Sequence, residues 1–96
     1  MSTSVPGVAI FVARSGTESE VEALLRSLVE PSRKEDGAIF YNLHRDRENP
    51  RRFVFTEEWE SQAALDAHVA SAHVRQAFET LPDLLESQEI IFLNAL

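Results

Sequence analysis

Two histidines five positions apart, His68 and His73 in the stretch "LDAHVASAHV" (65–74), are the side chains best suited to chemistry. The only other histidine is His44, and the chain has no cysteine. Imidazole titrates near neutral pH, so it can take up and release a proton under mild conditions, and it also binds transition metals. Paired metal ligands on one helix normally stand at i, i+4, about 40° apart around the axis, whereas i, i+5 gives about 140°. On a continuous helix the two rings therefore diverge. A break at Ser71 would bring them back together, but no third ligand is evident nearby, and no metal site is expected. His68 lies three residues after Leu65 and beside Val69, at the border of an apolar helix face, where it would look into a space between helix and sheet. It is the candidate general base. His73, the second residue after Ser71, would open the next helix and border the same site.

Further candidates lie on two strand-like segments. Tyr41 and Asn42 are consecutive and point to opposite faces of a strand, while Asn42 and His44 share one. On the second segment Glu57 and Trp59 share a face and Glu58 takes the other, so the two glutamates cannot work as a carboxylate pair. Around His68 these segments offer Tyr41, Asn42, His44, Glu58 and Trp59. The chain has no phosphate-cradling glycine loop, nucleophile elbow or dinucleotide fingerprint, and three glycines could hardly build one. No nicotinamide, flavin or other cofactor is expected.

The elements that must position these residues follow from periodicity. "VAIFVARSG" reads as a strand over roughly 7–14, ended by Ser15 and Gly16. Thr17 with Glu20 has the form of a capping box, and Val21, Leu24, Leu25, Leu28 and Val29 recur with helical spacing. Pro31 should kink this helix and Gly37 should stop it. Segments 38–46 and 51–59 are strand-like and separated by "RENP", which makes an antiparallel hairpin. Ser61 can cap a short helix and Ser71 a second, in which Val74, Ala77, Phe78 and Leu81 form the apolar stripe and Pro82 ends the helix. "SQEIIFLNA" (87–95) reads as the last strand. The order strand, helix, strand, strand, helical region, strand is the split βαβ pattern of an α+β, ferredoxin-like sandwich with an antiparallel sheet.

Both faces of these strands carry apolar side chains: Val8, Ile10 and Val12 against Phe11, Phe53 and Phe55 against Val54, Ile90 and Phe92 against Ile91 and Leu93. Helices of one chain cover only one face, so the pattern calls for a second copy on the other, a homodimer. Ninety-six residues suit a single domain, 1–96, with residues 1–6 as a flexible tail. The net charge of −7 argues against nucleic acid. The apolar runs are too short to span a bilayer, and a cytoplasmic protein is expected. Arg45, Arg47, Arg51 and Arg52 gather four of the nine basic residues at the hairpin tip, as a solvated turn or as an anion handle.

The stretch "PSRKEDGAIFYNLHRDRENPRRFVFTEEWESQAALDAHVASAH" resembles the antibiotic biosynthesis monooxygenase (ABM) family, in its small quinol-monooxygenase-like branch. The likeness lies in Gly37 to Tyr41 as Gly-x-x-x-Tyr, in a Phe-rich strand ending on Glu57 or Glu58 and Trp59, in Ala64-Leu65-x-x-His68, and in a histidine five residues on. It implies a dimeric α+β barrel, a pocket in each subunit between sheet and helices, and oxidation of a quinol- or phenol-like aromatic by O₂ without metal or flavin. His68 would then be the base, Asn42 or His44 a donor to the oxyanion, and Tyr41, Trp59, His73 and Phe78 the substrate contacts. The haem-degrading relatives keep an Asn, a Trp and a His where this chain has about Ala9, His68 and Phe78, so that activity is not implied. A non-catalytic ligand-binding module and an isomerase of a small polar metabolite are the alternatives.

Overall fold

A computed structural model describes residues 4–96. Its elements run β1 (Val5–Ala13), α1 (Glu18–Ser27), α2 (Val29–Arg33), β2 (Ala38–Arg45), β3 (Arg52–Trp59), α3 (Gln62–Val69), α4 (Ala72–Leu84) and β4 (Leu85–Phe92). The four strands form one sheet in the order β2-β3-β1-β4, with every neighbouring pair antiparallel. The ferredoxin-like α+β sandwich expected from the element order is therefore the fold. Residues 1–3 of the expected tail lie outside the described residues, and Val5 and Pro6 already belong to β1, paired with Trp59 and Glu58.

Local chemistry explains most element ends, sometimes by another route than the one expected. Pro31 lacks the N–H that would bond the Ser27 carbonyl, and the helix divides there, α1 ending at Ser27 and α2 starting at Val29. The capping box at Thr17 does not form: Thr17 Oγ1 donates instead to the carbonyls of Arg14 and Leu84, at 2.8 and 2.9 Å, tying the start of α1 to the end of α4. Ser61 caps α3 as expected, accepting from Ala64 N at 3.1 Å. Ser71 precedes α4 without capping it, because its hydroxyl donates to the His68 carbonyl at 2.6 Å. Pro82 does not end α4 but lies inside it, and the Leu85 N–H bonds the Pro82 carbonyl as the chain turns into β4.

The helices cover one face of the sheet. Burial alternates strictly along β3, with Phe53, Phe55, Glu57 and Trp59 turned inward. Ala9, Phe11 and Ala13 of β1 and Tyr41 of β2 join them, and Val21, Leu25 and Leu28 of the first helical region and Ala77 and Leu81 of α4 close over the top. The valine and leucine side chains among these each contribute about 1.5–3 kcal/mol on full burial. The opposite face carries Val8, Ile10 and Val54, with no helix over it. No helix among the described residues is long and apolar enough to cross a membrane.

Candidate functional site

Between the sheet and the α3–α4 layer lies a largely apolar cavity of about 370 Å³. Its floor is Ala9, Phe11 and Phe55, its helix side Val74 and Phe78, and its open end Ile90 and Phe92 on β4. The polar groups on its wall are few: Tyr41, Glu57, His68 and Arg75. That composition, an apolar body with a handful of fixed polar groups, suits an aromatic or otherwise apolar small molecule carrying oxygen functions.

His68 is 6% exposed and held from three sides. Its ring stacks on Trp59 at 4.4 Å between centroids, and the Tyr41 ring meets it edge-on at 5.3 Å. Glu35, in the turn between α2 and β2, places Oε2 2.7 Å from His68 Nδ1. A carboxylate can only accept, so the proton of the neutral ring sits on Nδ1, and Nε2 keeps its lone pair. No hydrogen bond engages Nε2 among the described residues, which leaves it available to a ligand in the pocket. The same Glu35 oxygen also accepts from His73 Nε2 at 2.8 Å. The break at Ser71 thus brings the two histidines together, as its position suggested, with ring centroids 6.1 Å apart.

Glu57 is the second acid of the site. Only 5% exposed, it shares the inner face of β3 with Trp59 and accepts from Trp59 Nε1 at 2.9 Å. Burial pushes its carboxyl above the ordinary carboxylate range, and the Trp59 N–H and His68 pull part of the way back. Tyr41 is buried as well. Burial, reinforced by the Glu57 carboxylate, raises its phenol well above the usual value, so Tyr41 serves the pocket as a neutral hydroxyl and not as a base.

The expected site residues separate clearly. His68, Tyr41 and Phe78 line the cavity. Trp59 is fully buried beneath His68 and forms no part of the wall, so its service is to hold His68 and Glu57. His73 stands behind the wall, on Glu35. Asn42 and His44 are on the outer face of the sheet: Asn42 Oδ1 accepts from Arg33 at 3.0 Å, and His44 Nε2 meets Thr56 Oγ1 at 3.2 Å. Strand alternation puts them a sheet thickness away from the pocket, and they cannot be its oxyanion donors within one chain. Glu35 and Glu57 were not singled out from the sequence. Glu57 could have been found from the face it shares with Trp59, whereas Glu35 sits in a turn that periodicity does not describe.

Comparison with known proteins agrees with this geometry. The family described as Antibiotic biosynthesis monooxygenase matches residues 8–80. The chain belongs to the ABM family. A Mycobacterium tuberculosis protein, Rv0793, whose name carries the word monooxygenase, is 34% identical over 73 residues, covering 76% of this chain and 71% of that one. Its solved structure superposes with a TM-score of 0.92 at 30% identity, over 97% of this chain and 95% of that one. A Pseudomonas aeruginosa structure gives a TM-score of 0.94 at 35% identity, over 100% of this chain and 97% of its own. An uncharacterised Synechocystis protein is 38% identical over 68 residues, 71% of this chain, and the match spans only 46% of that longer relative. In this ABM chain the matched segment contains every polar group of the site, Glu35, Tyr41, Glu57, Trp59, His68, His73 and Arg75.

Proposed function

We propose that this chain is a monooxygenase that oxidises a quinol- or phenol-like aromatic with O₂, using no metal or flavin in the reaction. The observation that carries the reading is the free Nε2 of His68 on the wall of an apolar pocket, backed by Glu35 on Nδ1. In this reading Nε2 takes the phenolic proton, and Glu35 stabilises the imidazolium that results. The substrate anion is electron-rich enough to give one electron to O₂, and the radical and superoxide then join in a C–O bond. The peroxide takes a proton, the carbon loses its hydrogen, and the O–O bond breaks to leave a carbonyl and water. Desolvation by the aromatic walls favours the charge-spreading electron transfer, and the neutral Tyr41 hydroxyl is a donor on the pocket wall for substrate oxygens.

The test is O₂ uptake with anthrone and with substituted hydroquinones. His68→Gln, which keeps much of the volume stacked on Trp59, should lower turnover on the order of a hundredfold while circular dichroism shows a folded chain. Undiminished turnover in that variant rules His68 out as the base, and a ligand that raises the melting temperature without ever being converted would favour a binding module instead. The isomerase reading needs a free anion handle. Three of its four arginines are paired: Arg45 with Glu22, Arg51 with Glu86 and Arg52 with Asp46. We further propose that a second copy of the chain covers the outer sheet face.

A further inference from the structure

Three ligand-type atoms from three separate elements converge beside the pocket. They are Oε2 of Glu35 from the turn after α2, Nδ1 of His68 from the last turn of α3, and Nε2 of His73 from the first turn of α4. All lie within 4.8 Å of one another, and the side chains are 15%, 8% and 24% exposed. Two neutral imidazoles and a carboxylate are the donor set that borderline divalent transition ions prefer, whereas magnesium and calcium call for oxygen ligands throughout.

We propose that Glu35, His68 and His73 bind one zinc-class divalent cation per chain, and that its arrival takes His68 out of the pocket chemistry. The first half stands on the cluster alone; the second rests on His68 being the base. Zinc lies about 2.0–2.2 Å from nitrogen and oxygen ligands, which sets tetrahedral neighbours about 3.3 Å apart. From the present 2.7 and 2.8 Å, the Glu35 carboxylate must withdraw from each ring by about half an ångström. A carboxylate on a turn can do so by side-chain rotation. The Trp59 stack holds the His68 ring, so closing the gap between the two histidine nitrogens, which lie within 4.8 Å, falls mainly to the more exposed His73. His73, the most exposed of the three, marks the side from which a cation and a fourth ligand, water, can enter. The overall charge of −7 favours the approach of cations.

The cation replaces the Nδ1 proton of His68. The ring's single proton moves from Nδ1 to Nε2, by way of solvent, as the ion takes the Nδ1 lone pair, so the ring stays neutral and the nitrogen left for the pocket changes from acceptor to donor. A ring in that state cannot take up a substrate proton. The metal is thus a stop on the reaction, held behind the wall by residues that in its absence form a hydrogen-bonded relay.

Titration of the chelator-stripped full chain with Co²⁺ tests the site. One Co²⁺ per chain should produce the strong visible absorption of a low-coordinate ion, and one equivalent of Zn²⁺, but no excess of Mg²⁺, should abolish it. Glu35→Gln and His73→Asn should each weaken binding at least tenfold while retaining the fold by circular dichroism, and His44→Asn, on the outer face, should not change it. Absence of the band, or binding unchanged in both cluster variants, overturns the site. Nitrogen-15 imidazole spectra read the tautomer without any turnover: a proton on Nε2 of His68 in the zinc-loaded chain supports the stop, and a proton on Nδ1 overturns it. Failure of every phenol to react would count against the monooxygenase reading alone, since neither measurement uses it.

Discussion

At the residue scale, Glu57 shows how one buried side chain links stability to pH. Its folded carboxyl is raised above the ordinary value of 4.5, chiefly by burial, so the folded chain holds this proton more tightly than the unfolded chain does. The contribution to stability is therefore complete below pH 4.5 and is lost as the pH climbs through the raised value. Gln has nearly the same shape, can still accept from Trp59 Nε1, and never ionises. Melting curves of the wild type and Glu57→Gln from pH 4 to pH 8 should separate progressively, the variant gaining relative stability as the pH rises. A constant difference across the series would mean that Glu57 carries no raised titration. The residue also marks a limit of sequence reading. Alternation alone places Glu57 and Trp59 on one face, and that much was legible. That the face is the inner one, and that the indole N–H satisfies the carboxyl, depends on which side the helices pack.

At the element scale, the turn joining α2 to β2 governs the site, because it delivers Glu35 to two histidines more than thirty residues away in sequence. Gly37 makes that turn possible. Its φ is +85°, and a Cβ built there would stand 2.6 Å from the Cβ of Ala64 on α3. The Gly37 carbonyl also accepts from Glu60 N at 2.8 Å, fastening the turn to the start of α3. Gly37→Ala meets both a left-handed backbone and a steric conflict, and should destabilise the chain on the order of 2–3 kcal/mol in chemical denaturation. Ala64→Gly relieves the steric part only. In the double variant the two costs should therefore sum to less than the separate losses, and strict additivity would show that the contact is not made. The sequence suggested Gly37 as a helix stop, correct as to the conformation it adopts, but the helix itself ends four residues earlier at Arg33. Helix periodicity identified the apolar stripes of α1 and α4, while the course of the short connection from Arg33 to Ala38 depends on a contact with a helix far along the chain. For that reason His68 was legible as a candidate and its carboxylate partner Glu35 was not.

At the scale of the whole molecule, the unpaired face of the sheet presents the outstanding physical problem. Register places Val8 beside Thr56 and Ile91 and Ile10 beside Val54, an apolar band centred on β1 that reaches β3 and β4, while on β2 Phe40 stands beside Glu58. Phe40 and Ile91 are each about 40% exposed, and the helices lie on the other side. Such a band in water is costly at about 25 cal/mol per Å², and the least elaborate way to remove it is to lay the same face of a second chain against it, since a twofold axis makes any surface meet itself. Asn42 and His44 share that face, so in such a contact they would stand at its rim and not in the pocket. Gel filtration with light scattering should then give a mass of twice 10.8 kDa. Ile10→Glu, at the centre of the band and pointing away from the core, should yield a folded monomer, because a charge desolvated at a twofold contact faces its own copy. A wild-type chain that stays at 10.8 kDa at high concentration would refute the arrangement. An unchanged dimer in the Ile10 variant would place the interface elsewhere, with the β4 edge, where Ile90 and Phe92 remain exposed at the mouth of the pocket, as the next surface to test.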